Sequence, residues 1–291
     1  MPRAPAKPAR RVIRPVRQPY AHAVAAARGL CTPLGMREPR DIDVEAIAQT
    51  LGALVMPRPF PRGEGHLLRD RVTGASIIAV RDVFVGMPKW RFVVAHEIGH
   101  LLLHPHLDAL PRCTGNVDRL PPGARKLEGE ASDAGCEIVM PEAWFAPRCC
   151  GLELDGLRSL ASHFGMSLAS TALRALQLTD TPSAYVVTKA GMVEWWACSA
   201  GWDVYVHRRA RVPDTTAAAR AARDLDVAGK AVVIAGAAWG DARVDVEVRE
   251  EVVVAKEDDV VISWLTRVGG EVDVVERGVD EVAARDEVDA G

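Results

Sequence analysis

The sequence predicts an α+β protein built from two units with a pair of helices between them. Three observations carry this. Long helical patterns at Trp90–His104 and Lys126–Pro141 sit beside short β-rich stretches at Ala53–Val55 and Ala75–Val85. Leu154–Leu176 reads as helix, glycine turn and second helix, the last capped at Ser167. From about Ser183 the pattern changes to short β-rich runs with one alanine-rich helical stretch among them, which is α+β again. A chain of 291 residues is long enough for two such domains, each with its own core.

In chain order, residues 1–19 are expected to be a disordered basic leader, because Arg3, Lys7, Arg10, Arg11, Arg14 and Arg17 stand among prolines without an acid. Tyr20–Gly29 is an alanine-rich candidate helix. Asp41–Gly52 is a clearer one, with acids at its start, apolar residues at helical spacing and a glycine at its end. The sheet implied by residues 53–55 and 75–85 would lie beside the Trp90–His104 helix, where an edge strand could pair with an extended peptide. After residue 183, Tyr185–Thr188, Val193–Ala197, Ala231–Ile234, Val244–Val254 and Val260–Trp264 read as strands and Thr215–Leu225 as a helix. Trp195, Trp196, Trp202, Trp239 and Trp264 could line a ligand pocket, although core packing is the commoner fate of such residues. The last 21 residues form an acidic tail.

The chemistry lies in His96-Glu97-Ile98-Gly99-His100. His-Glu-x-x-His on a helix projects two imidazoles from one face, four residues apart, where both reach one metal ion. Glu97 stands on the flank, placed to act as a base rather than a ligand. Catalytic zinc takes three protein ligands, so a third is needed. His106 follows His100 by six residues, as in the pattern H-E-x-x-H-x-x-G-x-x-H, but Leu103 holds the place of its glycine. Pro105 instead suggests that the helix stops near His104, leaving His104 and His106 as helix-end and loop residues. A carboxylate on the second helix, with acids in its first turn and an apolar stripe of Ala131, Ala134, Ile138 and Val139, is the other source.

Arg91-Phe92-x-x-Ala95-His96-Glu97-Ile98-Gly99-His100, followed by E-x-x-A and an apolar-Met-Pro ending at Met140-Pro141, resembles the ImmA/IrrE metallopeptidases, most of all the radiation-response IrrE branch of Deinococcus. The resemblance implies a zincin-like (gluzincin) peptidase domain over residues 20–150, a helix-turn-helix-like segment over 151–180 and a GAF-like sensor domain over 183–291. It implies Glu128 as third ligand, with Glu130 the neighbouring alternative, and Zn2+ as the ion, Mn2+ being another that such ligands accept. The implied function is site-specific endoproteolysis of an XRE-type helix-turn-helix repressor, releasing a DNA-damage or radiation-type stress response. Ser132 departs from the usual Asn or Asp, so the outer hydrogen bond expected there would be weaker or come from Asp133; Ala134-Gly135 should loosen packing beneath the site. The sequence does not identify the oxyanion-stabilising group; a Tyr or His from the linker or the second domain is one source. A different class of function is a non-proteolytic regulator, using the fold as a scaffold or binding DNA through residues 154–178.

Composition narrows the field. A net charge of -3 gives no whole-chain case for nucleic acid or membrane, and Arg174 is the sole cation of the second helix in the 154–178 pair. The six cysteines form no C-x-x-C pair and read as free thiols of a reducing compartment. With no signal-peptide segment and no apolar run of about 18 residues, the expected location is cytoplasmic.

Overall fold

The computed structural model describes residues 12–60, 63–70, 72–105, 120–149, 151–223, 230–255 and 259–269. Helix α1 (Ala21–Ala27) and α2 (Val44–Thr50) lead into a three-stranded sheet. Asp43 starts α2 by accepting hydrogen bonds from the Glu45 and Ala46 amides, which satisfies two of the unpaired donors at a helix start. The sheet consists of β1 (Ala53–Arg58), β2 (Gly65–Arg69) and β3 (Ser76–Arg81) in the order β1-β3-β2, with β1 parallel and β2 antiparallel to β3. Ile78 and Val80 of β3 point into the core, and β2 remains an edge. The long helices α3 (Pro88–Leu103) and α4 (Pro122–Val139) follow, each with proline in its first turn, where a missing N–H costs nothing.

After the short α5 (Glu142–Phe145), α6 (Leu154–Phe164) and α7 (Leu168–Leu178) are joined by a turn at Gly165, whose φ of 63° is left-handed. Ser167 caps α7 by accepting from the Ser170 amide, as its sequence indicates. The C-terminal part is a five-stranded antiparallel sheet in the order β5-β4-β10-β9-β7. Its strands are β4 (Ser183–Lys189), β5 (Met192–Cys198), β7 (Val232–Ala235), β9 (Glu247–Ala255) and β10 (Val260–Val268). The small pair β6 (Val204–Val206) and β8 (Gly240–Ala242), together with α8 (Ala217–Arg223), completes it.

Alternation along the strands divides the molecule into two cores. Tyr185, Trp264 and Ile262 face the helices of the N-terminal half and join its core, while Ala184, Val186, Val261 and Leu265 face α8 and form a second. Trp202, Trp239 and Trp264 are buried; Trp202 and Trp264 donate to the carbonyls of Val204 and Leu152, so these indoles pack rather than line an opening.

The expected leader is corrected over residues 12–19. Ile13 is buried in the second core, the Val16 amide donates to the Cys198 carbonyl, and Arg17 pairs with Asp133 at 2.8 Å. Ile13 and Val16, set among the arginines, give this segment something to bury, so it straps the C-terminal sheet to α4. The calls on residues 1–11, on His106, Cys113 and Cys150, and on the acidic tail lie outside the described residues. Cys31, Cys136, Cys149 and Cys198 are free thiols. Among the described residues no helix is long and apolar enough to cross a membrane.

Candidate metal centre

The site forms where α3 and α4 touch, and glycine sets how closely they approach. A Cβ on Gly99 would lie 2.5 Å from the Ala131 carbonyl oxygen, and one on Gly135 would lie 2.9 Å from the His96 amide nitrogen. Neither position has room for a side chain. The expectation that Gly135 loosens packing is therefore reversed: it lets the α4 backbone lie against the turn that carries His96. Helix α4 also begins at Pro122, four residues before the expected Lys126, so Glu128 and Glu130 are mid-helix residues turned inward rather than first-turn acids.

This approach brings Glu128 to the two histidines. His96 Nε2 is 3.3 Å from Glu128 Oε2, His100 Nε2 is 3.4 Å from Glu128 Oε1, and the two Nε2 atoms are 3.1 Å apart. All three residues are buried, and they form the one group of such donors among the described residues. A tetrahedral ion holding nitrogen and oxygen at about 2.05 Å spaces its ligands about 3.3 Å apart, so this donor set fits a zinc-like ion. At His100 and Glu128 the neutral and anionic forms that a metal needs are also favoured. Burial pushes His100 down to about 4. Burial alone would raise Glu128, but hydrogen bonds to His100 and His96 outweigh it and bring the carboxyl to about 2. His96 goes the other way: burial opposes its charging, yet Glu128 and Glu97 raise it above the usual imidazole value.

The surroundings fix each group. Ser132 Oγ lies 3.2 Å from His96 Nδ1, so serine supplies the outer contact there, while Asp133 is taken by Arg17 and the Tyr20 amide. Glu97, 1% exposed, follows His96, and its carboxylate lies against β2: a Cβ on Gly65 would be 2.6 Å from Glu97 Oε1. At the other end of that strand the Arg69 guanidinium donates to the carbonyls of His100, Leu101 and His104, closing the C-terminus of α3. Arg91 donates to the Ile42 carbonyl, tying the start of α3 to the residue before the Asp43 cap of α2. Glu130 is turned away from the imidazole pair and meets His104 Nε2 at 3.0 Å.

His104 is the residue that sequence reasoning undervalued. It is a helix-end residue but is 3% exposed, with Nδ1 3.0 Å from His100 Nδ1. The spacing 96, 100, 104 on one helix face was the available signal. Arg174, the cation on which a nucleic-acid role for α7 rested, is 1% exposed and paired with Glu137 at 2.5 Å.

The family model of the IrrE N-terminal-like domain, Peptidase M78, matches residues 48–176. That span contains α3, α4, α6 and nearly all of α7. No curated protein matches the sequence. Among solved structures, a Mycobacterium tuberculosis transcriptional regulator is similar with a TM-score of 0.54 at 16% sequence identity, over 86% of this chain and 77% of that one. The likeness is one of fold.

Proposed function

We propose that this protein is a zinc-dependent endopeptidase of the gluzincin kind, because residues 48–176 match the model of the IrrE N-terminal-like domain, which points to a peptidase. Its substrate in this reading is a helix-turn-helix transcriptional repressor of the XRE type, and cutting it releases a stress response such as that to DNA damage or radiation. The observation that carries the peptidase reading is the convergence of His96, His100 and Glu128 beside Glu97. The repressor and the stress signal rest on the family resemblance. The GAF-like sensor reading of the C-terminal sheet and the helix-turn-helix reading of α6 and α7 rest on it as well.

His96, His100 and Glu128 would hold the ion. When bound, it would polarise the scissile carbonyl and lower the pKa of a water from about 15.7 toward about 7. Glu97 would take a proton from the attacking water and return it to the leaving amine. Burial of Glu97 against Gly65 keeps its carboxylate beside the imidazole pair and limits competing solvent. The edge strand β2 offers backbone groups to an extended peptide on the same side of α3.

A DNA-binding role through α7 has little support, since its sole cation is buried on Glu137. A scaffold role is separated from proteolysis by one residue. Metal-loaded protein is incubated with the host's small helix-turn-helix repressors, including any encoded beside it, and fragments are read by mass spectrometry. Discrete cleavage by the parent is expected, with Glu97→Gln slower by about 10²- to 10⁴-fold while it keeps its metal. A Glu97→Gln variant with full biological activity would hand the function to the scaffold reading.

A further inference from the structure

Beyond the three metal-facing groups, the buried seam continues through a second set of polar side chains. His100 Nδ1 meets His104 Nδ1 at 3.0 Å, His104 Nε2 meets Glu130 Oε2 at 3.0 Å, and Glu130 Oε1 meets His22 Nε2 of α1 at 3.2 Å. His104 is 3% and Glu130 6% exposed, whereas His22 reaches the surface. Lys126, one turn before Glu130, approaches the same carboxylate at 3.8 Å.

Two nitrogens facing each other at hydrogen-bond distance need one proton between them, and the chemistry at either end decides whose it is. An ionised carboxylate only accepts, so Glu130 takes the Nε2–H of His104. A neutral imidazole carries a single N–H, so His104 Nδ1 is left as an acceptor. It then takes the Nδ1–H of His100, and the lone pair of His100 falls on Nε2, the atom facing Glu128 and His96. His96 has a different neighbour at its Nδ1, Ser132 Oγ, a hydroxyl able to accept that N–H or to donate.

We propose that His104, anchored by Glu130, is the positioning residue that holds His100 in its metal-binding tautomer. It does so through an imidazole-to-imidazole hydrogen bond where a carboxylate or backbone carbonyl commonly serves. This rests on the metal-site reading above. It assigns Glu130 a place one layer out from the ligands, and it gives α1 a part in the site, because His22 holds the far oxygen of Glu130.

The test compares the parent with His104→Phe, which keeps a flat ring and loses the acceptor, and His104→Asn, whose side-chain oxygen falls near the position of Nδ1. Zinc affinity is read by competition with a chelating dye, folding by circular dichroism, and the ring tautomers of the zinc-loaded parent by ¹⁵N shifts. The expected results are Nδ1–H on His100 and Nε2–H alone on His104 in the parent, a loss of about 10- to 100-fold in affinity for His104→Phe, and recovery of most of it in His104→Asn. If His104→Phe folds and binds zinc as the parent does, or if His104 carries protons on both nitrogens, the assignment is overturned while the metal site stands. A parent that binds no zinc removes the metal site itself. If neither variant folds, the ring tautomers of the zinc-loaded parent decide.

Discussion

The helix pairs α3–α4 and α6–α7 lie in the same family-matched stretch, yet they bury opposite things. Between α3 and α4 the seam holds His96, Glu97, His100, Glu128 and, one layer out, His104 and Glu130. The α6–α7 pair buries mainly apolar side chains, Leu157, Phe164, Ala172 and Leu176 among them, and its buried Arg174 is turned toward α4. Burying polar groups costs free energy unless each finds a partner, so a seam like that of α3–α4 is kept for what it does and a seam like that of α6–α7 for how it packs. Their connection makes the same point: Arg174 of α7 is used on Glu137 of α4, where a nucleic-acid-reading helix would present its cation to solvent.

The largest expected effect breaks that connection. Burial pushes the Glu137 carboxyl above its usual range, against the pull of Arg174. Arg174→Met should therefore cost about 3 kcal/mol in urea unfolding, because only the exposed Arg28, at 3.6 Å, and the Glu142 amide then face the buried carboxylate. A variant that is fully stable but weaker in DNA binding would instead make α7 a reading helix. Next is Gly99→Ala, which should cost about 1–3 kcal/mol and weaken metal binding together, because the added methyl wedges α3 off Ala131. Gly123→Ala, on the open part of α4 with nothing within 4 Å, is the control and should be neutral or stabilising.

Acid should act on the first pair alone. A proton on His96 must leave before metal can bind, and its neighbours raise His96 above the usual value. Affinity should accordingly rise about tenfold per pH unit, roughly 1.4 kcal/mol, until His96 is neutral, and then level off. His100, at about 4, adds a second proton only in stronger acid. Zinc titrations between about pH 5 and about pH 8 check this, and a flat profile would count against His96 as a ligand. The smallest effect belongs to the second pair: Ser167→Ala should cost about 1 kcal/mol through the lost cap on α7 and leave metal affinity unchanged.

The helices and most strands were legible because their periodicity is local. The Ser167 cap, α2 and the strands of the five-stranded sheet lie within a few residues of where the sequence puts them, whereas the short β6 and β8 were not foreseen. Strand β2 was missed because Gly65–Arg69 is short and mixed, and its role depends on Glu97 and the α3 carbonyls that it meets only in the fold. Residues 12–19 were misread because arginines and prolines masked the partners of Ile13, Val16 and Arg17, all more than 100 residues away. In the candidate site, His96, Glu97 and His100 follow from spacing alone. Glu128 over Glu130 needed the family resemblance, since two acids two residues apart differ only in which side of α4 they occupy. Ser132 and His104 could not be ranked without knowing which side chains they face.

The account stands on one cluster of donors, and counting metal tests it most directly. Parent, His96→Ala, His100→Ala and Glu128→Ala are dialysed against zinc, checked for folding by circular dichroism, and analysed for metal per chain. The parent should hold a single ion and each folded variant should lose it or bind it far more weakly. A folded Glu128→Ala that keeps zinc at parental affinity would contradict the account.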